Sequence, residues 1–224
     1  MKKTLLIAAA ALAASVISSE AQVYSQNIVG YVNTVFPSGF TPAVNPLING
    51  TNLSSTLLPN IPDLSFLYVW NGSSYDVYET YQGDYYDETG SSIVQAPNLN
   101  LGNGFFINAS DSFTNTFVGV VAVTNGAVGT VSTNTVNLVA GFNFLNSPLP
   151  IGGGITSALK LSPPDLSFIY VWNGTTWDVS ETYQGDFYDE TGSTTVPEPQ
   201  IKVGSAFFIN ASAPFQWSIT YTNQ

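Results

Sequence analysis

The chain has no cysteine and no histidine. Without cysteine there is no disulfide framework, so stability must come from a packed core, and thiolate metal sites and thiol nucleophiles are excluded. Without histidine there is no Ser-His-Asp chemistry, no imidazole acid–base group and none of the usual zinc or copper ligand sets. Arginine is absent as well, and after Lys2 and Lys3 only Lys160 and Lys202 carry positive charge. The formal net charge is −11. Nucleic acids are bound by neutralising phosphates with Lys and Arg, so that class of partner is excluded. Attraction to an anionic membrane surface fails on the same ground. Charged residues of either sign make up only 8% of the chain, against roughly a quarter in an ordinary soluble domain. The surface must therefore be clothed in Asn, Thr, Ser and Gln, as in exported β proteins.

What is present points to export. Lys2 and Lys3 precede an apolar, Ala-rich run from Leu5 to Ile17, and Ser19-Glu20-Ala21 supplies small residues before a cleavage point. This reads as a secretory signal over residues 1–21, cut after Ala21. The run is shorter than the roughly 20 residues of a membrane-spanning helix, so no transmembrane segment is expected after cleavage. The protein is expected to be secreted or held at the cell surface. The rest is 44% apolar and 13% aromatic in whole-chain terms, a composition that folds rather than staying disordered.

One stretch occurs twice. Asp63-Leu-Ser-Phe-Leu-Tyr-Val-Trp-Asn-Gly, continuing to Phe105-Phe-Ile-Asn-Ala-Ser, returns without a gap from Asp165 to Ser212, with about two-thirds of positions identical. A repeat of this length sets the architecture. It predicts two modules, residues 22–125 and 126–224, with the boundary in the turn-rich segment near Asn125. Val128-Gly129 echoes Val29-Gly30 and suggests the restart. Phe66–Trp70, Asn71-Gly72 and Tyr75–Tyr81 read as a hairpin, since Asn-Gly favours a type I′ turn with positive φ at both positions. Phe168–Trp172, Asn173-Gly174 and Trp177–Tyr183 repeat it. The two Gly-x-x-Phe-Phe-Ile-Asn runs read as buried strands. Asn52–Leu58 and Ile155–Leu161 read as one or two helical turns, with Leu57, Leu58, Ala158, Leu159 and Leu161 inward. The fold class is all-β: two tandem, mainly antiparallel β-sandwich or small-barrel modules. Pro, Gly and Asn interrupt too often for the regular strands of about ten residues that an outer-membrane barrel needs.

Two features bear on function. Alternation places Phe66, Tyr68, Trp70, Tyr75 and Val77 on one hairpin face, and Phe168, Tyr170, Trp172, Trp177 and Val179 on the other copy's. This more continuously apolar face is expected to form the module core. The competing reading is a sugar-stacking platform, with Trp70, Tyr75, Trp172 and Trp177 as ligand-binding residues. The second feature is the loop Gly-Asp-aromatic-Tyr-Asp-Glu-Thr-Gly. Asp84, Asp87 and Glu88, with Asp186, Asp189 and Glu190, gather hard oxygen ligands that suit calcium. Their spacing is not that of an EF-hand, and a solvated acidic turn is the plainer reading. Glu79, Asp84 and Glu88 also contain enough carboxylates for glycoside hydrolysis, but two identical sets in two small modules argue against an active cleft. The Asn-x-Ser/Thr triplets are turn chemistry in a chain this rich in Asn, Ser and Thr.

The order Gly141-Phe-Asn-Phe, Pro148-Leu149, Tyr170-Val-Trp-Asn-Gly174 and Val203-Gly-Ser-Ala-Phe-Phe-Ile209 resembles a tandem repeat of exported bacterial β-domain proteins. The first module departs from it at Gly39-Phe-Thr-Pro, and neither carries the pattern's full Pro-Gly-x-Gly. The resemblance spans almost all of the mature chain and implies a secreted or surface β-domain with no catalytic residues. The expectation is a non-enzymatic structural or adhesive protein that needs no cofactor beyond optional calcium. Its expected partners are glycans or copies of itself.

Overall fold

The computed structural model describes residues 29–71, 74–101, 104–123, 131–147 and 149–222. The expected signal segment, the module boundary and the Val128-Gly129 echo lie outside the described residues. Among the described residues, apart from one short helix, all regular elements are strands, and every strand pairing is antiparallel.

In the first copy, β1 (Val29–Phe36) pairs with β8 (Phe113–Val120) in a long two-stranded ribbon. Between them lie β2 (Gly39–Val44), α1 (Ser54–Leu57), β3 (Ser65–Trp70), β4 (Tyr75–Tyr81), β5 (Asp84–Tyr86), β6 (Ile93–Val94) and β7 (Gly104–Ala109). These strands form one six-stranded sheet in the order β2-β7-β3-β4-β5-β6. Pro42 sits in β2, at the sheet edge, where a missing N–H does least harm.

The second copy repeats the plan. β9 (Val131–Leu138) and β17 (Phe215–Thr222) make the ribbon. β10 (Gly141–Leu145), β12 (Phe168–Trp172), β13 (Trp177–Tyr183), β14 (Asp186–Asp189) and β16 (Phe207–Ala211) make a five-stranded sheet in the order β10-β16-β12-β13-β14. A two-residue bridge pairs β11 (Gly153–Gly154) with β15 (Gln200–Ile201). The expected helix at Ile155–Leu161 is a run of turns, although Leu159 and Leu161 are fully buried as anticipated.

The hairpins form at the expected positions, and in the second copy the loop differs from the type I′ expectation. Trp172 pairs with Trp177, leaving a four-residue loop. Only Gly174 takes positive φ there. Asn173 instead uses its side chain, its Oδ1 accepting from the Thr175 and Thr176 amides at 3.0 and 2.9 Å. Such Asx-type bonding closes a turn without left-handed strain.

Each copy has its core on one face of its sheet. In the first, Leu67, Phe105 and Ile107 point inward and meet Phe36 and Phe117 from the ribbon and Leu57 and Leu58 from α1 and its C-cap. In the second, Ile169, Phe207 and Ile209 meet Leu138 and Trp217, with Leu159 and Leu161 closing the side. Each such side chain contributes about 1.5–3 kcal/mol through burial, which is how a chain without disulfides holds its fold. The sheet and ribbon thus form two unequal layers, and the described strands form no closed barrel.

This reverses the expected orientation of the hairpin. The aromatic row is not the module core; the buried row is Ser65, Leu67 and Val69, with Tyr78 and Thr80 opposite. The physical reason lies in the side chains. Tyr and Trp carry a polar tip that must reach water or a partner, whereas Leu67 and Ile169 carry none and are fully buried.

Candidate functional site

The aromatic faces that are turned away from the two cores meet each other. Phe144 of β10 is the wedge. Its ring stacks on Phe208 at 4.2 Å and on Phe106, from the other copy, at 4.9 Å. Trp177 meets Phe208 edge-on at 5.2 Å and Phe106 at 6.2 Å. Val44, Phe144 and Ala206 are buried in this cluster, and Trp70, Phe106 and Phe208 pack around it. Gly104 makes room for the wedge: a Cβ there would stand 2.5 Å from the Phe144 ring. The second copy has Ala206 at the equivalent position.

The structure therefore brings the four proposed ligand-binding aromatics together at an aromatic seam between the modules. Trp70 lies 5.0 Å from Tyr75, and Trp172 lies 5.2 Å from Trp177. All four are partly buried. Desolvation pushes the Tyr75 phenol up to about 12, so it stays a neutral hydroxyl at any physiological pH. These rings form neither an open platform nor a module core; they join one module to the next.

The acidic loops are built differently from a cation site. Asp87 Oδ1 accepts from Thr89 Oγ1 at 2.7 Å and from the Thr89 and Ser91 amides, each at 3.1 Å. Asp189 does the same with Thr191 and Ser193. The Thr191 hydroxyl bond, followed by the Ser193 amide, lowers the Asp189 carboxyl to about 2. Asp87 is lowered for the same reasons, led by Thr89. Each carboxylate caps its own turn. Asp84, Asp186, Glu88 and Glu190 are exposed beside it. Among the described residues no group of three or more acidic side chains is gathered closely enough to hold a metal ion.

One carboxylate near the second copy's core went unnoticed in the sequence. Glu198 Oε1 accepts from the Ser157 amide, and its Oε2 accepts from Ser157 Oγ, both at 2.7 Å. Desolvation pushes this carboxyl up, but the bonds from Ser157 and Thr156 outweigh it and the net shift is downward. The first copy has Ala96 at that position, so the cap belongs to one module only. No local sequence signal announces it, because Glu198 lies 41 positions from its partner Ser157.

Among the described residues no helix is long and apolar enough to cross a membrane. No protein-family model matches the chain, and no curated protein or solved structure is significantly similar to it. Fold and site together define a duplicated all-β protein whose two copies meet through an aromatic seam.

Proposed function

We propose that this is a non-enzymatic, exported structural or adhesive protein of the cell surface or extracellular matrix. The observation that carries the reading is the use made of the most reactive-looking residues. The aromatic cluster is spent on joining two modules, and the clustered aspartates are spent on capping turns. The polar, charge-poor exterior supports it as well. Ribbon positions carry Thr, Ser, Asn and Gln pairs that bond across strands, as in Thr135 with Ser218 at 3.1 Å and Gln216 with Asn137 at 3.0 Å. Such neutral polar pairs keep the surface hydrated without relying on charge. The test is direct: purified mature protein incubated with polysaccharide, ester and peptide substrates gives no turnover. Reproducible hydrolysis that survives repurification would overturn the reading. Protease shaving of intact cells should release the protein or its fragments, and exclusive recovery from the cytoplasm would contradict export.

A second reading is glycan binding, favoured by a specific observation. Large apolar and aromatic side chains remain exposed on the same outer faces, beyond the seam: Phe40 at 51%, Phe142 at 58% and Tyr81 at 42%. Phe40 and Phe142 lie against Tyr68 and Tyr170, at 5.3 and 5.6 Å.

A further inference from the structure

The segment Glu79–Gly90 returns as Glu181–Gly192 with a single change, Tyr85 against Phe187. That one change points inward, into the core. The outward residues are unchanged. Register places Glu79 opposite Tyr86 and carries Tyr81 on the same face. With Leu64 and Gly90 they line an open cleft of about 340 Å³.

Leu64 is the informative residue. Its φ is 60°, in the left-handed region, and its side chain is 56% exposed. Leu166 repeats this at 63° and 57%. A leucine there is only partly covered and is strained by its backbone, and Gly or Asn would suit the backbone of either position better. Strain kept at an exposed apolar residue, in both copies, marks a surface selected for contact rather than for folding. The polar partner is Glu79. Its carboxylate lies against Gly90, where a Cβ would come within 2.4 Å of Oε2, and Glu181 lies over Gly192 in the same way. Gly90 and Gly192 both hold positive φ. Neither glutamate accepts a hydrogen bond from any described residue. The acceptor is partly buried, and its hydrogen-bonding capacity is open to a ligand.

We infer that the cleft Leu64–Glu79–Tyr81–Tyr86–Gly90 and the equivalent residues of the second copy, Leu166–Glu181–Tyr183–Tyr188–Gly192, each bind a neutral saccharide unit. A tyrosine face takes the C–H side of a sugar ring, and an unpaired carboxylate takes its hydroxyl protons. Tyr183 and Tyr188 stand 6.4 Å apart and edge to face, offering a face and an edge at one place. The net charge of −11 disfavours acidic glycans. Two clefts on one chain make binding to a polymer bivalent, so the second engagement is intramolecular. The inference rests on the glycan-binding reading and moves its point of contact from the seam tryptophans to the clefts.

The test uses the whole protein on an array of neutral oligosaccharides built from glucose, galactose, mannose and N-acetylglucosamine, followed by titration of the best-bound sugar. The paired variant Tyr81→Ala/Tyr183→Ala should weaken binding at least tenfold, with an unchanged circular dichroism spectrum. Either single variant should retain monovalent binding to the free oligosaccharide and lose most retention on the polymer. Leu64→Gly/Leu166→Gly should keep or raise the unfolding temperature while weakening binding, which a purely structural role for leucine does not allow. Sugar binding that survives both paired variants and is lost in Trp172→Ala would overturn the clefts and leave glycan binding standing. No retention of any neutral sugar at millimolar concentration would overturn both. Salt-sensitive binding to polylysine in place of sugars would overturn the inference in favour of a cationic partner.

Discussion

At matching places in the two cores, different side chains make the same bond. In the first copy, Asn115 Nδ2 donates to the Leu57 carbonyl at 2.9 Å; in the second, Trp217 Nε1 donates to the Leu159 carbonyl at 2.8 Å. The neighbours change too: Phe36 and Phe117 stand beside Asn115, and Leu138 and Ile219 stand at the equivalent places beside Trp217. Larger rings surround the small amide, and smaller aliphatics surround the large indole. What the duplication kept is the capped carbonyl and a filled volume rather than any residue type. Cores accept such exchanges when volume and polarity are balanced. The outward Glu79–Gly90 face changed nothing, so the constraint there is not volume.

The balance is imperfect in the first copy. Asn115 Oδ1 is buried without a hydrogen-bond partner, and the Tyr85 and Ser54 hydroxyls are buried close to each other without forming a well-aligned bond. Desolvation pushes the Tyr85 phenol up, partly offset by the Ser54 hydroxyl nearby. In the second copy these positions hold Trp217, Phe187 and Thr156. The indole has a single donor and satisfies it.

The comparison can be broken most forcefully at the indole. Trp217→Ala should cost about 3–5 kcal/mol, from the cavity and the orphaned Leu159 carbonyl together. Asn115→Ala should cost only about 1–2 kcal/mol, because one orphaned atom leaves with the lost donor. Denaturant titration of each variant reads both values, and equal losses would mean that neither the indole's volume nor the unpaired Asn115 Oδ1 sets the difference. Next comes the seam. Gly104→Ala forces the Phe144 ring to move and should cost about 1–3 kcal/mol, whereas Ala206→Gly should cost about 1 kcal/mol or less. Calorimetry should show the Gly104→Ala protein unfolding in two steps as the modules uncouple. The orphaned hydroxyl gives a smaller, signed effect. Tyr85→Phe should stabilise by about 1 kcal/mol, and Phe187→Tyr should destabilise by about 1–3 kcal/mol. If Tyr85→Phe instead destabilises, the hydroxyl has a partner.

The smallest effect is on pH. Asp189 and Asp87 have folded values lowered below the ordinary 3.8. A depressed carboxyl stabilises above its unfolded value, and the stabilisation is lost as pH falls through the folded one. For Asp189 the window runs from about pH 4 down to about 2. Melting temperature should decline across it, and Asp189→Asn should flatten that decline.

Much of this was legible in the sequence, and the boundary has a physical cause. The hairpins, their strands, the Phe-Phe runs and the inward leucines follow from alternation and turn chemistry, which are local. The described ribbon strand Val29–Phe36 takes its register from Phe113–Val120 far along the chain, which no local pattern shows. Alternation separates the two faces of a strand, but it does not say which face is the core when both are apolar. Phe66, Tyr68 and Trp70 carry more apolar surface than Leu67 and Val69, yet the aliphatic row is the buried one. The seam depends on Phe144 reaching Gly104 in the other copy, a contact with no local pattern. The strain at Leu64 and Leu166 was equally hidden, since leucine gives no warning of positive φ. The acidic loop is visible in the sequence as a repeated unit, but the bonds from Thr and Ser that absorb its aspartates depend on how the turn closes.

The central claim is that the aromatic faces join the modules instead of standing open. Methyl and aromatic NMR on selectively labelled protein tests it most directly. Nuclear Overhauser contacts between the Phe144 ring and both Phe106 and Phe208 are expected, with a single correlation time for the two modules. Absence of the Phe106–Phe144 contact, with the two modules tumbling independently, would contradict it.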